Sequence, residues 1–391
     1  MSETLARDVV AVLERMFSGE PHPVALHEPE FRGRERDYVQ DCINSGWVSS
    51  VGRYVDRFEE AVAAACGAPH AVAVVNGTAA LHVCLMLAGV RPGDEVLVPA
   101  LTFVATANSI AHAGAVPHFV DSEASSLGVD AAALASWLAD IAEPSADGCR
   151  NRLTGRRIAA LVVVHVFGHP VEMDALAELA ERYGQPLNAD AAASLGSLYH
   201  GRRCGGLARL AATSFNGNKI VTCGGGGAVL TTDAELARAA RHLTTTAKLP
   251  HPWAFRHDRV AWNYRLPNLN AALGLAQLER LDDMVTRKRT LARAYADAFA
   301  ALPGVEVLLE RPGTKGNYWL NTLLLSEASA RDTVLSAAHA AGFLCRPAWD
   351  LLHHQPMYAD GPRMPLETVE QLAPRILNLP SSPHLADGRD G

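Results

Sequence analysis

The stretch that decides the fold class reads Val74-Val75-Asn76-Gly77-Thr78-Ala79-Ala80-Leu81. An apolar run typical of a buried strand, Ala71–Val75, passes through an Asn-Gly turn into the helical stretch Thr78–Ala88. Free amides at such a helix start, together with a threonine hydroxyl, suit a phosphate group. The turn alone is a weak signal, because many α/β proteins have such a turn with nothing bound.

The same alternation of strand and helix continues along the chain. The apolar pattern predicts strands at 95–98, 116–120 and 159–165, and helices near 106–113 and 173–183. Strands that alternate with helices form right-handed βαβ crossovers and build a largely parallel, buried sheet. The sequence therefore predicts an α/β fold with a large, mostly parallel sheet.

The pattern of apolar residues changes near both ends of the sequence. Apolar residues at helical spacing predict a short amphipathic helix over 4–17, so we expect an N-terminal helical extension over 1–25. From 268 to about 300 the sequence predicts a long helical stretch rich in Ala and Leu. We therefore predict a large domain over 26–267 and a smaller C-terminal α/β domain over 268–391, with a frayed tail after Ser382.

Composition excludes several classes of protein. A net charge of −7 without a basic run argues against a nucleic-acid partner. No signal peptide opens the chain and no apolar run spans a bilayer, so we expect a cytoplasmic protein without a membrane partner. The seven cysteines form no CxxC pair, which fits buried or free thiols better than a disulfide framework.

A second motif places a lysine between a polar turn and four glycines. It reads Thr213-Ser214-Phe215-Asn216-Gly217-Asn218-Lys219, and Gly224–Gly227 follow. A single lysine is usually solvated, but the apolar residues Ile220 and Val221 indicate that this segment enters the interior. A desolvated lysine has a lowered pKa and forms imines, and glycines let the backbone pass close to a flat ligand.

A third motif, Asn188-Ala189-Asp190-Ala191-Ala192, ends a predicted strand. A buried carboxylate needs a partner, which is either the start of a helix that Asp190 caps or a cation. The nitrogen of pyridoxal phosphate is such a cation, since the cofactor is an electron sink only while that nitrogen is protonated. A phosphate cradle, Asp190 and Lys219 together favour this cofactor, with Lys219 and Asp190 as catalytic residues.

These motifs resemble those of the DegT/DnrJ/EryC1/StrS family of pyridoxal-phosphate sugar aminotransferases, which implies the fold-type I, aspartate aminotransferase-like fold. The resemblance runs from Gly46-Trp47-Val48-Ser49-Ser50 to Leu379-Pro380-Ser381-Ser382. Within the family the chain is most similar to the branch that aminates nucleotide-linked 4-keto-6-deoxy-HexNAc sugars, as in legionaminic acid biosynthesis. The branch-like stretches are Asn216–Lys219, Leu243–Lys248 and Arg346–Trp349.

The resemblance implies how the cofactor is held. Gly77, Thr78 and Ser214 would bind its phosphate. Phe103 would stack on the pyridine face, although core packing is the alternative for a phenylalanine. Asn263, within Trp262-Asn263-Tyr264-Arg265, would reach the phosphate of the other subunit. We therefore expect a homodimer with shared active sites.

The activity that the resemblance implies is transamination in two half-reactions, in deoxyaminosugar biosynthesis. Lys219 would hold the cofactor as an aldimine and move a proton. L-glutamate would donate the amino group, and a nucleotide-linked keto-deoxysugar would receive it at C4. Because arginine pairs with diphosphates and tryptophan stacks on sugars or bases, the candidates for the acceptor pocket are Trp47, Arg346, Trp349 and His353.

Three alternatives bear on this interpretation. A metal role for His353 and His354 is not expected, because no third ligand stands at a suitable spacing. A second possible activity is that of the deoxysugar dehydratases of the same family. The resemblance implies histidine in place of the lysine in those enzymes, so Lys219 argues against this activity. Ala189 and Ala193 replace polar residues that the family usually has, which leaves open a non-catalytic member that binds cofactor or sugar nucleotide for regulation.

Overall fold

The structure is a computed structural model that describes residues 2–389. Its helices are α1 (Ser2–Met16), α2 (Glu35–Ser45), α3 (Arg53–Cys66), α4 (Gly77–Leu87), α5 (Val104–His112), α6 (Ala131–Ile141), α7 (Met173–Arg182), α8 (Ala234–Thr244), α9 (Asn268–Leu278), α10 (Leu281–Phe299), α11 (Arg331–Ala340) and α12 (Glu367–Leu372). Its strands are β1 (His70–Val74), β2 (Glu95–Pro99), β3 (Val116–Val120), β4 (Ala142–Ser145), β5 (Gly148–Asn151), β6 (Arg157–Val164), β7 (Leu187–Asp190), β8 (Leu198–Tyr199), β9 (Arg202–Arg203), β10 (Leu210–Ser214), β11 (Gly227–Thr231), β12 (Val305–Val307), β13 (Thr314–Lys315), β14 (Asn321–Leu325), β15 (Arg346–Pro347) and β16 (Ile376–Leu379).

The largest sheet has the strand order β1-β11-β10-β7-β6-β2-β3, and the hairpin β4–β5 joins it beside β6. Strands β10, β7, β6, β2 and β3 pair in parallel, whereas β11 is antiparallel to both β1 and β10. The prediction of a large, mostly parallel sheet is confirmed. The carboxyl ends of β1, β10, β7, β6 and β2 therefore meet at one edge, where open α/β sheets bind ligands.

The central strands are apolar because they are covered on both faces. Strand β2 is buried along its whole length, and so is β6 after its first residue. This burial explains the near-continuous hydrophobic runs that predicted these strands from the sequence. Polar residues begin where the strands end, and this change in composition marks the ligand-binding edge.

A second apolar core lies around the small antiparallel sheet β12-β14-β16-β15. Helix α1 belongs to this core, since Val9, Val12 and Leu13 are buried in it. Helix α9 packs against α2 and α3, while α10 adds Met284 to the large core and Tyr295 to the small one. The segments on either side of residues 25 and 268 pack against each other. The domain boundaries predicted at these two positions stay predictions.

The helical stretch predicted over 268 to about 300 is helical but is divided in two. The structure has two helices, α9 and α10, with a break at residues 279–280. Arg280 lies at this break and its guanidinium pairs with the buried Glu30 at 2.8 Å. The ion pair ties the junction to a distant segment of the chain, which a helical pattern in the sequence does not reveal.

The prediction of a frayed tail after Ser382 is wrong up to residue 389. Leu385 and Ala386 are buried in the small core. Asp387 then pairs with Arg32 at 2.7 Å and with Arg287 at 3.1 Å. The tail is anchored by partners far away in sequence, and residues 390–391 lie outside the described residues.

Two expectations from composition can be compared with the structure. All seven cysteines are buried and free of disulfides, which confirms the prediction from their scattered spacing. Across residues 2–389, the helices are all too short or too polar to cross a membrane.

Candidate active site

A cavity of about 420 Å³ opens at the carboxyl edge of the large sheet. This volume falls in the usual range of small-molecule sites. The loops after β1, β10, β7, β6 and β2 each contribute to its wall. The predicted site residues that line it are Gly77, Thr78, Phe103, Asp190, Ser214, Lys219 and Trp349.

One wall of the cavity is the start of helix α4. The side chain of Asn76 caps the helix by accepting the amide of Ala79 at 2.8 Å. The amides of Gly77 and Thr78 precede that bond, and the first amides of a helix have no carbonyl partner within it. Glycine is needed at 77, since a Cβ there would lie 2.9 Å from the Cβ of Ser214. Helix α4 and Ser214 therefore form a narrow, anion-favouring cleft.

Asp190 stands at the end of β7 and is buried. The hydroxyl of Thr106 donates to its Oδ2 at 2.8 Å, and the amide of Ala192 donates to its Oδ1 at 3.0 Å. The alternative of a helix cap is wrong, because a turn rather than a helix follows Asp190. Burial raises the pKa of Asp190, and these two donors and Lys219 oppose that rise. A cationic ligand atom would complete the site.

Lys219 follows the turn after β10 and enters the cavity. Its Nζ lies 3.7 Å from the ring centroid of Trp319, and Trp319 donates its indole N–H to the carbonyl of Asn218 at 2.8 Å. Burial lowers the pKa of Lys219 to about 8, although the charge of Asp190 acts in the opposite direction. About a tenth of the side chain is therefore an unprotonated, nucleophilic amine at pH 7, far more than for a solvated lysine.

Aromatic side chains form the remaining wall. Phe103 is 55% exposed and lines the cavity, so the core-packing alternative is wrong. Its ring lies 6.3 Å from that of Trp349, which is stacked 6.3 Å from Trp319. These flat faces suit a planar ring or a sugar.

Sequence reasoning missed three residues of this site. Trp319 is distant in sequence, so no local motif points to it. Thr106 is in the first turn of α5 and Thr102 lies just before that helix, and their hydroxyls are 2.9 Å apart. His165 directly follows β6, as Asp190 ends β7, so the rule that ligands bind at strand ends would have identified it.

Three of the four predicted acceptor residues lie outside the cavity. Trp47 is 58% exposed in a separate surface hollow beside Asn268. Arg346 is exposed on β15. His353 is buried and its Nε2 lies 3.1 Å from Glu370. Of the four residues, Trp349 alone lines the cavity.

His353 and His354 have a third neighbour that the sequence did not reveal. One ligand atom from each of His353, His354 and Glu370 lies within 4.8 Å of the others. The reason given for excluding a metal, the lack of a third ligand, is therefore wrong. The prediction that this group holds no metal stays a prediction.

Asn263 is exposed and lies outside the cavity of its own chain. It forms a β-bridge with Thr245, and the carbonyl of the next residue, Tyr264, accepts the amide of Val75 at 2.9 Å. Asn263 is thus held beside the end of β1 but on an outer surface. Its predicted role in the site of a second subunit stays a prediction.

The chain matches the sequence profile of the DegT/DnrJ/EryC1/StrS aminotransferase family over residues 29–389. It is 36% identical over 368 residues to GDP-perosamine synthase of Caulobacter vibrioides. This alignment covers 93% of this chain and 94% of that relative. It is 33% identical over 339 residues to dTDP-3-amino-3,4,6-trideoxy-alpha-D-glucose transaminase of Streptomyces venezuelae, with 86% and 84% covered. The crystal structure of the aminotransferase TlmJ from Streptoalloteichus hindustanus superposes with a TM-score of 0.82 at 29% identity, over 91% of this chain and 92% of that one. The likeness thus extends over nearly the whole chain.

Proposed function

Because the chain belongs to the DegT/DnrJ/EryC1/StrS aminotransferase family, we propose that it moves an amino group from L-glutamate to C4 of a nucleotide-linked keto-deoxysugar. Its class is a sugar-nucleotide aminotransferase and its cofactor is pyridoxal phosphate. The observation that carries the proposed chemistry is the meeting of Lys219, Asp190 and the α4 cleft in one cavity. The amino donor and the C4 position rest on the resemblance.

Polar groups of the cavity fit the phosphate and the ring nitrogen of the cofactor. The amides of Gly77 and Thr78 and the hydroxyl of Ser214 would bind the phosphate. Among residues 2–389, the buried carboxylate of Asp190 has hydrogen bonds from Thr106 and Ala192 but no salt bridge, and it would accept a hydrogen bond from the protonated pyridine nitrogen. When bound, the cofactor supplies an electron sink for the carbon that exchanges its amino group.

Lys219 is suited to two tasks in this reaction. Its amine would hold the cofactor through the aldehyde carbon, for which it must be unprotonated, and burial favours this form by lowering the pKa of Lys219 to about 8. When a substrate amine takes its place, the released amine is a base near the working pH and moves a proton at the reacting carbon. When Lys219 is protonated, its Nζ makes a cation–π contact with the ring of Trp319, 3.7 Å from the ring centroid.

The acceptor would enter along the aromatic wall. Phe103 would stack on the pyridine face, and Trp349 would bound the space that the sugar occupies. The C4 position rests on the branch-like stretches, of which Arg346–Trp349 contributes Trp349 to the cavity. The glutamate donor rests on the resemblance to the family as a whole. Arg346, Trp47 and His353 have weaker support as acceptor ligands, since they lie outside the cavity of a single chain.

A second copy of the chain would complete the site. The loop before Asn263 exposes three large apolar side chains, Trp253, Phe255 and Val260, each at least 80% exposed. Such a patch is typical of an interface. A partner that covers this loop would bury these side chains and bring Asn263 beside the partner's phosphate cleft, as the resemblance implies.

The proposal is tested by tracing the transferred nitrogen. The holoenzyme is incubated with 15N-labelled L-glutamate and, in separate reactions, UDP-, GDP- and dTDP-linked 4-keto-6-deoxyhexoses. We expect 15N on C4 of at least one product, no product from Lys219→Ala, and full product from Lys315→Ala, an exposed lysine that does not line the cavity. Label on another carbon would refute the C4 assignment, and turnover by Lys219→Ala would refute the role of Lys219.

A further inference from the structure

His165 is a buried polar residue that the proposed reaction does not yet use. It follows β6 directly, is fully buried, and lines the cavity. Its Nε2 has no hydrogen-bond partner among residues 2–389. Leaving a buried donor or acceptor unpaired is costly, so an unpaired atom at a cavity wall points to a ligand.

The ring of His165 is held in one tautomer. Its Nδ1 accepts the amide of Val171 at 3.2 Å, and an accepting nitrogen carries no hydrogen. Burial lowers the pKa of His165 to about 4, so the ring is neutral at physiological pH. The single hydrogen is therefore on Nε2, and His165 presents one N–H donor to the cavity.

The strand order locates this donor relative to the other groups. Along the carboxyl edge, Ser214 ends β10, Asp190 ends β7, and His165 follows β6. The amide of His165 also donates to the carbonyl of Asp190 at 3.3 Å. His165 thus lies beside Asp190 on the side away from the phosphate cleft.

The chemistry of the cofactor identifies the acceptor on that side. Its pyridine ring carries the phosphate arm and the phenolic oxygen on opposite sides of the axis from the ring nitrogen to the aldehyde carbon. With the nitrogen at Asp190 and the phosphate at α4 and Ser214, the oxygen faces β6. Ala192 and Ala193 also line the cavity there, and neither has a side-chain donor.

The turn that carries His165 is held by neighbours on two sides. Phe167 adopts a φ of 52°, which costs free energy in a bulky residue. Gly168 has a φ of 101°, and a Cβ there would collide with the side chain of Asn317. The hydroxyl of Ser197 donates to the carbonyl of Gly168 at 2.8 Å. This packing keeps the direction of the imidazole fixed.

We propose that His165 is a cofactor-binding residue whose Nε2–H donates to the phenolic oxygen of pyridoxal phosphate, a role that Ala193 leaves unfilled. The inference rests on the proposed roles of Lys219 and Asp190. A donor stabilises the oxygen most when it is fully anionic, after the lysine-bound chromophore has lost its proton. His165 therefore lowers the pH at which the chromophore titrates, and it strengthens cofactor binding.

Two variants separate this role from a purely structural one. In His165→Asn, the amide oxygen replaces Nδ1 as acceptor for Val171, but the shorter side chain withdraws the donor from the cavity. His165→Gln keeps a donor at the distance of Nε2. The buried His169, outside the cavity, supplies the control variant His169→Asn. The visible spectrum of each holoenzyme is titrated from pH 6 to 10 without substrate, and cofactor dissociation is followed separately.

The expected result is an upward shift of the chromophore midpoint by about one pH unit or more in His165→Asn, since a hydrogen bond to a charged oxygen is worth about that much. His165→Gln and His169→Asn keep the parent midpoint, and His165→Asn loses cofactor several-fold faster. An unchanged midpoint in folded, cofactor-loaded His165→Asn overturns the inference while Lys219 chemistry stands. Absence of a visible band in the parent overturns the proposed function and this inference together.

Discussion

The hydroxyl of Thr106 donates a hydrogen bond of 2.8 Å to Oδ2 of Asp190 across the carboxyl edge of the large sheet. Thr106 is in α5, while the other donor, the amide of Ala192, follows β7. Two separate segments therefore fix the carboxylate in one orientation. This arrangement explains how a buried Asp190 is ready for a cationic ring nitrogen before any ligand binds.

Removing this hydroxyl destabilises the cofactor-free protein in a pH-dependent way. Burial raises the pKa of Asp190 in the folded state, so its ionisation costs stability as the pH rises from the unfolded pKa through the folded one. The Thr106 donor offsets part of that cost. We expect Thr106→Val to lose about 1.5–3 kcal/mol of unfolding free energy at pH 7 in urea titrations, and less at pH 4.

Thr322→Val is the matched control for this prediction. Thr322 is equally buried, but its hydroxyl donates to the neutral side-chain oxygen of Asn378 at 2.8 Å. We expect a loss of about 1 kcal/mol that stays constant with pH. If Thr106→Val and Thr322→Val lost the same unfolding free energy at every pH, the Thr106 hydroxyl would not be stabilising an ionised Asp190.

The lowered pKa of Lys219 predicts the pH dependence of cofactor attachment. Only the neutral amine attacks an aldehyde, and burial brings the pKa from 10.5 to about 8. Stopped-flow mixing of cofactor-free protein with pyridoxal phosphate should show a rate that rises through a midpoint near pH 8 and then levels off. A rate that still increases above pH 10 would mean that Lys219 titrates as an exposed lysine.

The shared active site predicts complementation between two inactive variants. Lys219→Ala lacks the reactive amine, and Asn263→Ala lacks the group that we place in the partner's site. In a mixed dimer one of the two sites combines an intact Lys219 with an intact Asn263. Random reassortment of equal amounts should restore roughly one quarter of the parent activity. No recovery after proven subunit exchange would place Asn263 outside the site.

Trp349 is predicted to act on the acceptor rather than on the donor. It lines the cavity beside Phe103, whereas Arg346, three residues earlier, is exposed outside it. We expect Trp349→Ala to raise KM for the nucleotide sugar by about tenfold, the effect of roughly 1.4 kcal/mol, with the glutamate half-reaction little changed. Arg346→Ala is the comparison variant. A larger rise of the KM for the nucleotide sugar in Arg346→Ala than in Trp349→Ala would indicate that Arg346 belongs to the acceptor site.

The sequence predicts the part of the site that follows from local motifs. Gly77, Asp190 and Lys219 each end or follow a recognisable strand, and parallel strands bring their carboxyl ends to one edge. The sequence could not predict Trp319, which packs over Lys219 from the segment before β14. That contact depends on how the small sheet packs against the large one.

The same limit explains the acceptor residues. Arg346 and Trp349 are neighbours in sequence, but β15 ends between them, so one side chain is exposed and the other reaches the cavity. The prediction for His353 rests on its residue type, and its contact with Glu370 of α12 arises only from tertiary packing. Local pattern gives the residue types, whereas the orientation of each side chain is set by elements far along the chain.

The central claim, that Lys219 carries pyridoxal phosphate and exchanges it with L-glutamate, is tested most directly by visible absorption. The protein is purified with added pyridoxal phosphate, its spectrum is recorded, and L-glutamate is added without any sugar. We predict a yellow band that bleaches as the cofactor takes up the amino group, and no such band bound to Lys219→Ala. A parent protein without the band, or Lys219→Ala with the same band and the same bleaching, would contradict the account.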